Sequence, residues 1–149
     1  MKGKIFNAQE VKAIMRADKT QFREAIKPQP NSEINPVYLK ECNSWQWATK
    51  ESRRECPYQV GQKIFVKESF CEVDCEPFTD NWIDYRATPD YGGNLPAGWD
   101  ADPTNPERLK WKPAQHMRQE HSRIILQIKE IRVEKENNLW VWVIQFDVI

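Results

Sequence analysis

Lys19, Thr20 and Arg23 stand together where a helical pattern ends, and Pro28 and Pro30 follow closely. A lysine, a hydroxyl and an arginine within five residues could bind an anion or a nucleobase edge. The guanidinium offers a planar fork of donors, and the ammonium a compact charge. A carboxylate that could complement them is Glu68, just past the strand-like "KIFVKESF". Carboxylates are natural acceptors for the exocyclic amine of cytosine. Each residue also has a structural alternative. Lys19 would complement a helix macrodipole, Thr20 could bond the backbone, Arg23 could pair with Glu24 or Glu10, and Glu68 could be an ordinary edge-strand side chain.

Other reactive side chains form no recognisable constellation. His116 and His121 are five apart and match no H-E-x-x-H pattern. Cys42, Cys56, Cys71 and Cys75 contain one close pair, C-x3-C, without the paired knuckles of a structural zinc site. Neither a metal nor a cofactor is expected, and the thiols read as reduced. Seven tryptophans invite base stacking. Trp140 and Trp142 share a strand face with Ile144 and Phe146, which makes them core. Trp45 and Trp47, near Lys50, Arg53 and Arg54, could either face a ligand or pack over the end of a barrel.

The 149 residues are enough for one domain with a real core. The 22 basic and 22 acidic side chains cancel, so no global field draws in nucleic acid. The cancellation is uneven. Residues 1–30 carry seven Lys/Arg against three acids, residues 68–107 ten acids against one Arg, and residues 108–135 eight Lys/Arg against three acids. The acidic stretch is either a solvated loop or a surface for a basic partner. Met1-Lys2-Gly3-Lys4 leads into an amphipathic pattern rather than a signal peptide. The longest apolar run, "LWVWVI", is too short to span a bilayer. A cytoplasmic protein with no membrane partner is expected.

The elements that must position these residues are readable in part. "KIF" reads as a short strand, and Asn7 with Glu10 forms a capping box for a helix over 8–17, with Val11, Ile14 and Met15 on its apolar stripe. Residues 27–61 read as loop. Gly61 precedes a strand through Ile64 and Val66, "WIDYRA" is a short strand, and about 87–109 is a loop-rich insert. In "SRIILQIKEIRVE", Ile124, Leu126 and Ile128 share one parity while Ile131 and Val133 take the other, which predicts a bulge at Lys129-Glu130. A final strand is expected near 139–148.

In this order, "KIFNAQEVKAIM", "DKTQ", "IKPQP", "PYQVGQKIFVKESF", "YRA", "WKPAQHM", "HSRIILQIKEIRVE" and "WVWVIQF" resemble the ASCH domain of the PUA-like superfamily, in its bacteriophage and prophage branch. The resemblance covers most of the chain apart from 31–56 and 87–109. It implies an α+β fold: a small, curved, mostly antiparallel PUA-like β-barrel with one N-terminal helix and long loops, in a single domain over 1–149. It also implies binding of RNA or a nucleoside-like ligand in a cleft beside the first helix, through Lys19, Thr20, Arg23 and Glu68.

One branch of that family resembles amidohydrolases that deacetylate acetylated cytidine. Their lysine falls on Lys19, but their threonine falls on Phe22, and the helix bearing their glutamate has no counterpart after "RVE". The glycine expected before the lysine is Ala17. Lys19, with Glu68 standing in for the missing acid, would be the catalytic pair if the chain were an enzyme. The binding reading is preferred, and the third alternative is an interaction module that sets the acidic 68–107 stretch against a host nucleic-acid enzyme.

Overall fold

The computed structural model describes residues 1–47, 53–73, 82–89 and 111–149. Most of the acidic 68–107 stretch and of the 87–109 insert lies outside the described residues, as does Cys75. In chain order the elements are β1 (Lys2–Ile5), α1 (Ala8–Met15), β2 (Gln21–Ala25), β3 (Val37–Leu39), β4 (Ser44–Gln46), β5 (Arg53–Glu55), β6 (Lys63–Lys67), β7 (Phe70–Val73), β8 (Trp82–Tyr85), β9 (Ile125–Glu136) and β10 (Leu139–Val148). This is an α+β chain with one α-helix and mostly antiparallel pairing among its described residues. Among the described residues none of the sheets closes into a barrel. Closure would need every strand edge paired, yet among the described residues β1 and β2, like β3 and β5, remain edge strands. No helix among the described residues is long and apolar enough to cross a membrane.

The chain forms two compact units, one built from residues 1–19 and 64–125 and the other from 20–63 and 126–149. In the first unit β1 pairs in parallel with β6, in register from Lys2 opposite Ile64 to Ile5 opposite Lys67. Gly3 makes this possible, because a Cβ there would lie 2.6 Å from Phe65 Cζ. α1 follows at once. The Asn7 side chain accepts from Glu10 N–H at 2.8 Å and Glu10 accepts from Asn7 N–H at 3.1 Å, the expected capping box. Val11 and Ile14 are its buried stripe, while Met15 is exposed.

The helix ends two residues earlier than the apolar pattern suggests. Ala17 takes φ +62°, with its N–H on the Ile14 carbonyl and Asp18 N–H on the Ala13 carbonyl. That is a Schellman exit, normally built on glycine. Ala17 therefore adopts a left-handed conformation that usually falls to glycine. β7 and β8 form an antiparallel pair, and Phe70 bridges Lys112 through two backbone bonds of 3.2 and 2.7 Å.

In the second unit β10 is flanked by β9 and β2, both antiparallel to it. Trp140 through Ile144 and Phe146 are buried, so both faces of β10 are covered. The β9–β10 register slips where Gln145 faces Glu130 but Phe146 faces Ile128, leaving Lys129 as the extra residue. The bulge lies at the expected place. Asn137 and Asn138, at φ +50° and +64°, make the two-residue turn between these strands. Asn tolerates the left-handed region that such hairpin turns require.

Residues 27–61 were expected to be loop, and the structure corrects this. β3, β4 and β5 form a three-stranded antiparallel sheet. Strands of three residues are too short to leave a readable alternation. Its central strand carries Trp45, which is buried and packs edge-on against Trp142 with centroids 5.0 Å apart. Trp47 packs likewise against Trp140 at 5.5 Å. Both belong to the core of their unit and not to a ligand face.

The proline strap serves β10. Gln29, between Pro28 and Pro30, donates to the Trp140 carbonyl at 2.9 Å and accepts from Trp140 N–H at 2.8 Å. Its amide thus replaces a strand partner just past the end of β2. Gln29→Ala would leave the Trp140 N–H without an acceptor and is expected to destabilise the protein by about 1–3 kcal/mol. Urea unfolding followed by tryptophan fluorescence measures this, and an unchanged midpoint would contradict it.

Candidate functional site

The first unit contains a recess of about 380 Å3, lined by Ile5, Phe6, Asn7, Ala8, Glu68, Ser69, Arg86, Ala87 and Ala114. Its position follows from chain direction. Because β1 and β6 are parallel, the segments leaving both strands emerge at the same end. Phe6 N–H donates to the Lys67 carbonyl at 3.0 Å, which sets the start of α1 beside Glu68 and Ser69. The turn after β8 is tied there by Arg86 N–H to the Ser69 carbonyl at 3.1 Å. Ser69 Oγ donates to the Lys112 carbonyl at 2.9 Å and so draws in the segment that carries Ala114. Carboxyl ends of parallel strands are where open sheets commonly leave ligand crevices.

Glu68 is 2 % exposed. Arg123 Nε donates to its Oε2 at 3.0 Å, and Arg123 Nη2 to its Oε1 at 2.9 Å, a fork-to-fork pair. Arg123 Nη1 also donates to Thr88 Oγ1 at 2.7 Å, and its guanidinium lies 4.1 Å over the Tyr85 ring. Tyr85 in turn donates its hydroxyl to the His121 carbonyl at 2.8 Å. Burial pushes the Tyr85 hydroxyl above its ordinary pKa; the charge of Arg123 opposes this and that of Glu68 adds to it. It therefore acts as a neutral donor. The Glu68 carboxylate is fixed in direction by the arginine and can still accept from a ligand through its remaining lone pairs.

The other expected site residues have other partners. Lys19 follows the C-terminal end of α1, but its side chain reaches back to Glu10 in the first turn, which accepts from the N–H of the lining residue Asn7. Lys19 Nζ lies 3.7 Å from Glu10 Oε2, and Lys19 is not among the residues lining the recess. Thr20 is exposed, and its carbonyl accepts from Phe146 N–H at 2.9 Å. Arg23, on β2, is 2.9 Å from Glu134 and 3.0 Å from Glu136. Desolvation acts to lower the Arg23 pKa, but hydrogen bonds and charge from these two glutamates outweigh it and the net shift is upward. Phe22, at the threonine position of the hydrolase-like branch, is buried, with its ring 5.4 Å from Tyr58 and 6.1 Å from Phe146.

Sequence reasoning missed Arg86 and Arg123. Arg123 opens the clearest strand pattern in the chain, and its role depends on a partner 55 residues away. No group of three His, Cys, Asp or Glu among the described residues is placed to hold a metal. Cys42, Cys56 and Cys71 are free thiols, and burial followed by the charge of Asp84 pushes Cys71 up to about 11.

Removing one partner of a buried ion pair leaves the other charge uncompensated. Arg123→Ala should therefore cost about 3 kcal/mol or more, read as a lower urea midpoint. An Arg123→Lys variant should recover only part of this, since an ammonium cannot bridge both carboxylate oxygens.

Compared with known proteins, the chain matches no family model, no curated protein and no solved structure.

Proposed function

We propose that this chain is a PUA-like, ASCH-type protein of the bacteriophage and prophage kind that binds RNA or a nucleoside-like ligand. The observation that carries this reading is the recess at the start of α1, whose lining includes Glu68, a residue with its carboxylate held by Arg123. Its volume of about 380 Å3 is at the lower end of small-molecule pockets and suits a base with its sugar. Ile5, Phe6, Ala8, Ala87 and Ala114 offer apolar surface to a flat ring. Glu68 offers a fixed acceptor to a donor edge such as an exocyclic amine. The weight of the site thus moves to Glu68. Lys19 and Arg23 each stand beside carboxylates, and we assign them supporting contacts at most.

A variant that fills the recess tests this reading. Ala114→Leu places a larger side chain on the lining without touching the Glu68–Arg123 pair. It should weaken binding of short single-stranded RNA, or of an amine-bearing nucleoside, at least about tenfold, whereas Lys19→Ala should change it by less than about threefold. Fluorescence titration in low salt measures both. Binding that survives Ala114→Leu and is lost in Lys19→Ala would move the site to the helix exit.

The hydrolase alternative is tested separately. Members of a catalytic set act as a unit, and Phe22 provides no hydroxyl beside Lys19. Incubation with acetylcytidine, followed by chromatography, should show no cytidine. Turnover that vanishes in Lys19→Ala would restore the enzyme. Capture of a host protein that requires the acidic 68–107 residues would instead favour the interaction module.

A further inference from the structure

Arg86 is the single basic residue in the 68–107 stretch, among ten acids. With so many carboxylates nearby in sequence, it would be expected to lie in an ion pair. It makes no side-chain hydrogen bond or ion pair among the described residues, although its side chain is exposed and it lines the recess. The other described arginines each meet an acceptor, whether a carboxylate, a carbonyl or a thiol.

Two further features bear on its role. First, its backbone is fixed at both sides, by Arg86 N–H on the Ser69 carbonyl and by Thr88 N–H on the Tyr85 carbonyl, each 3.1 Å. Buried Ala87 adjoins it. The guanidinium therefore starts from a rigid rim. Second, the one acid among the described lining residues, Glu68, has both oxygens engaged by Arg123. Those charges cancel, and Arg86 leaves the described lining residues with one positive charge in surplus.

We infer that the recess takes a nucleoside bearing a phosphate, with Arg86 at its mouth as the phosphate-binding residue. This rests on the nucleoside-binding reading above and names the ligand class within it. The polarity of the site matches such a ligand: a buried carboxylate and apolar walls, and an exposed guanidinium with no partner among the described residues. A neutral nucleoside would leave Arg86 in water. A phosphate monoester would receive charge-assisted bonds from it, in the bidentate geometry that favours arginine over lysine.

The test is calorimetric titration of the full chain in low salt with adenosine, cytidine, guanosine and uridine, and with their 5′-monophosphates. Wild type is compared with Arg86→Ala, Arg86→Lys and Ala114→Leu, each checked for its fold by circular dichroism. At least one amine-bearing monophosphate should bind about tenfold more tightly than its nucleoside, with an advantage that shrinks as salt rises. Arg86→Ala should erase that advantage, so that monophosphate and nucleoside bind this variant equally, and Arg86→Lys should keep part of it. Ala114→Leu should weaken both ligands. If nucleoside and monophosphate bind equally, or Arg86→Ala keeps the difference, the phosphate inference is overturned and nucleoside binding stands. If neither ligand binds at about millimolar concentration, both fall. If inorganic phosphate binds as tightly as the monophosphates and ignores Ala114→Leu, the site is a bare anion site, and both fall as well.

Discussion

A carboxylate that is 2 % exposed is tolerable only if its charge is matched, and Glu68 is matched by Arg123. In the first unit, much of the local order is arranged around that pair. Arg123 must approach in plane, so it is held from one side by Thr88 and from below by the Tyr85 ring. Tyr85 must lie flat beneath it, and its hydroxyl is anchored on the His121 carbonyl. Ser122, next to Arg123, donates to the Val66 carbonyl at 2.8 Å and so fixes the arginine beside the strand that delivers Glu68. A buried pair of this kind adds little net stability over apolar packing, but it is costly to break. What it provides here is orientation: a carboxylate held in one plane by the arginine.

Direction in space also explains why the recess is where it is. An antiparallel partner for β6 would have sent the chain after β1 to the opposite end of the strand. The parallel β1–β6 pair instead brings the first turn of α1 and the Glu68-Ser69 corner to the same edge. The β7–β8 pair then returns Arg86 to Ser69. The site is assembled from chain segments far apart in sequence, none of which contains a motif by itself.

The second unit solves a different problem. β10 is buried on both faces, so each of its backbone groups needs a partner within the unit. β9 and β2 supply most of them, the Thr20 carbonyl meets Phe146 N–H, and the Gln29 side chain meets Trp140. The paired tryptophans, Trp45 with Trp142 and Trp47 with Trp140, carry the packing. Arg23 lies on β2 and reaches Glu134 and Glu136 on β9, a cross-strand charge match that accounts for its position without any ligand.

The sequence by itself determined what depends on neighbouring residues. The Asn7–Glu10 capping box, the Val11/Ile14 stripe, the long β9 with its bulge at Lys129-Glu130 and the span of β10 are all written in spacings of a few residues. It also put Glu68 forward as a candidate, because a carboxylate after a strongly patterned strand is conspicuous. Only the tertiary structure decided Glu68's partner, the burial of Trp45 and Trp47, the parallel pairing of β1 with β6, and the place of Arg86 on the lining of a recess. Three-residue strands leave no periodicity, and an ion pair across 55 residues leaves no local pattern at either end. Local physics writes itself into adjacent residues, whereas a site built from distant ones exists only once the backbone has brought them together.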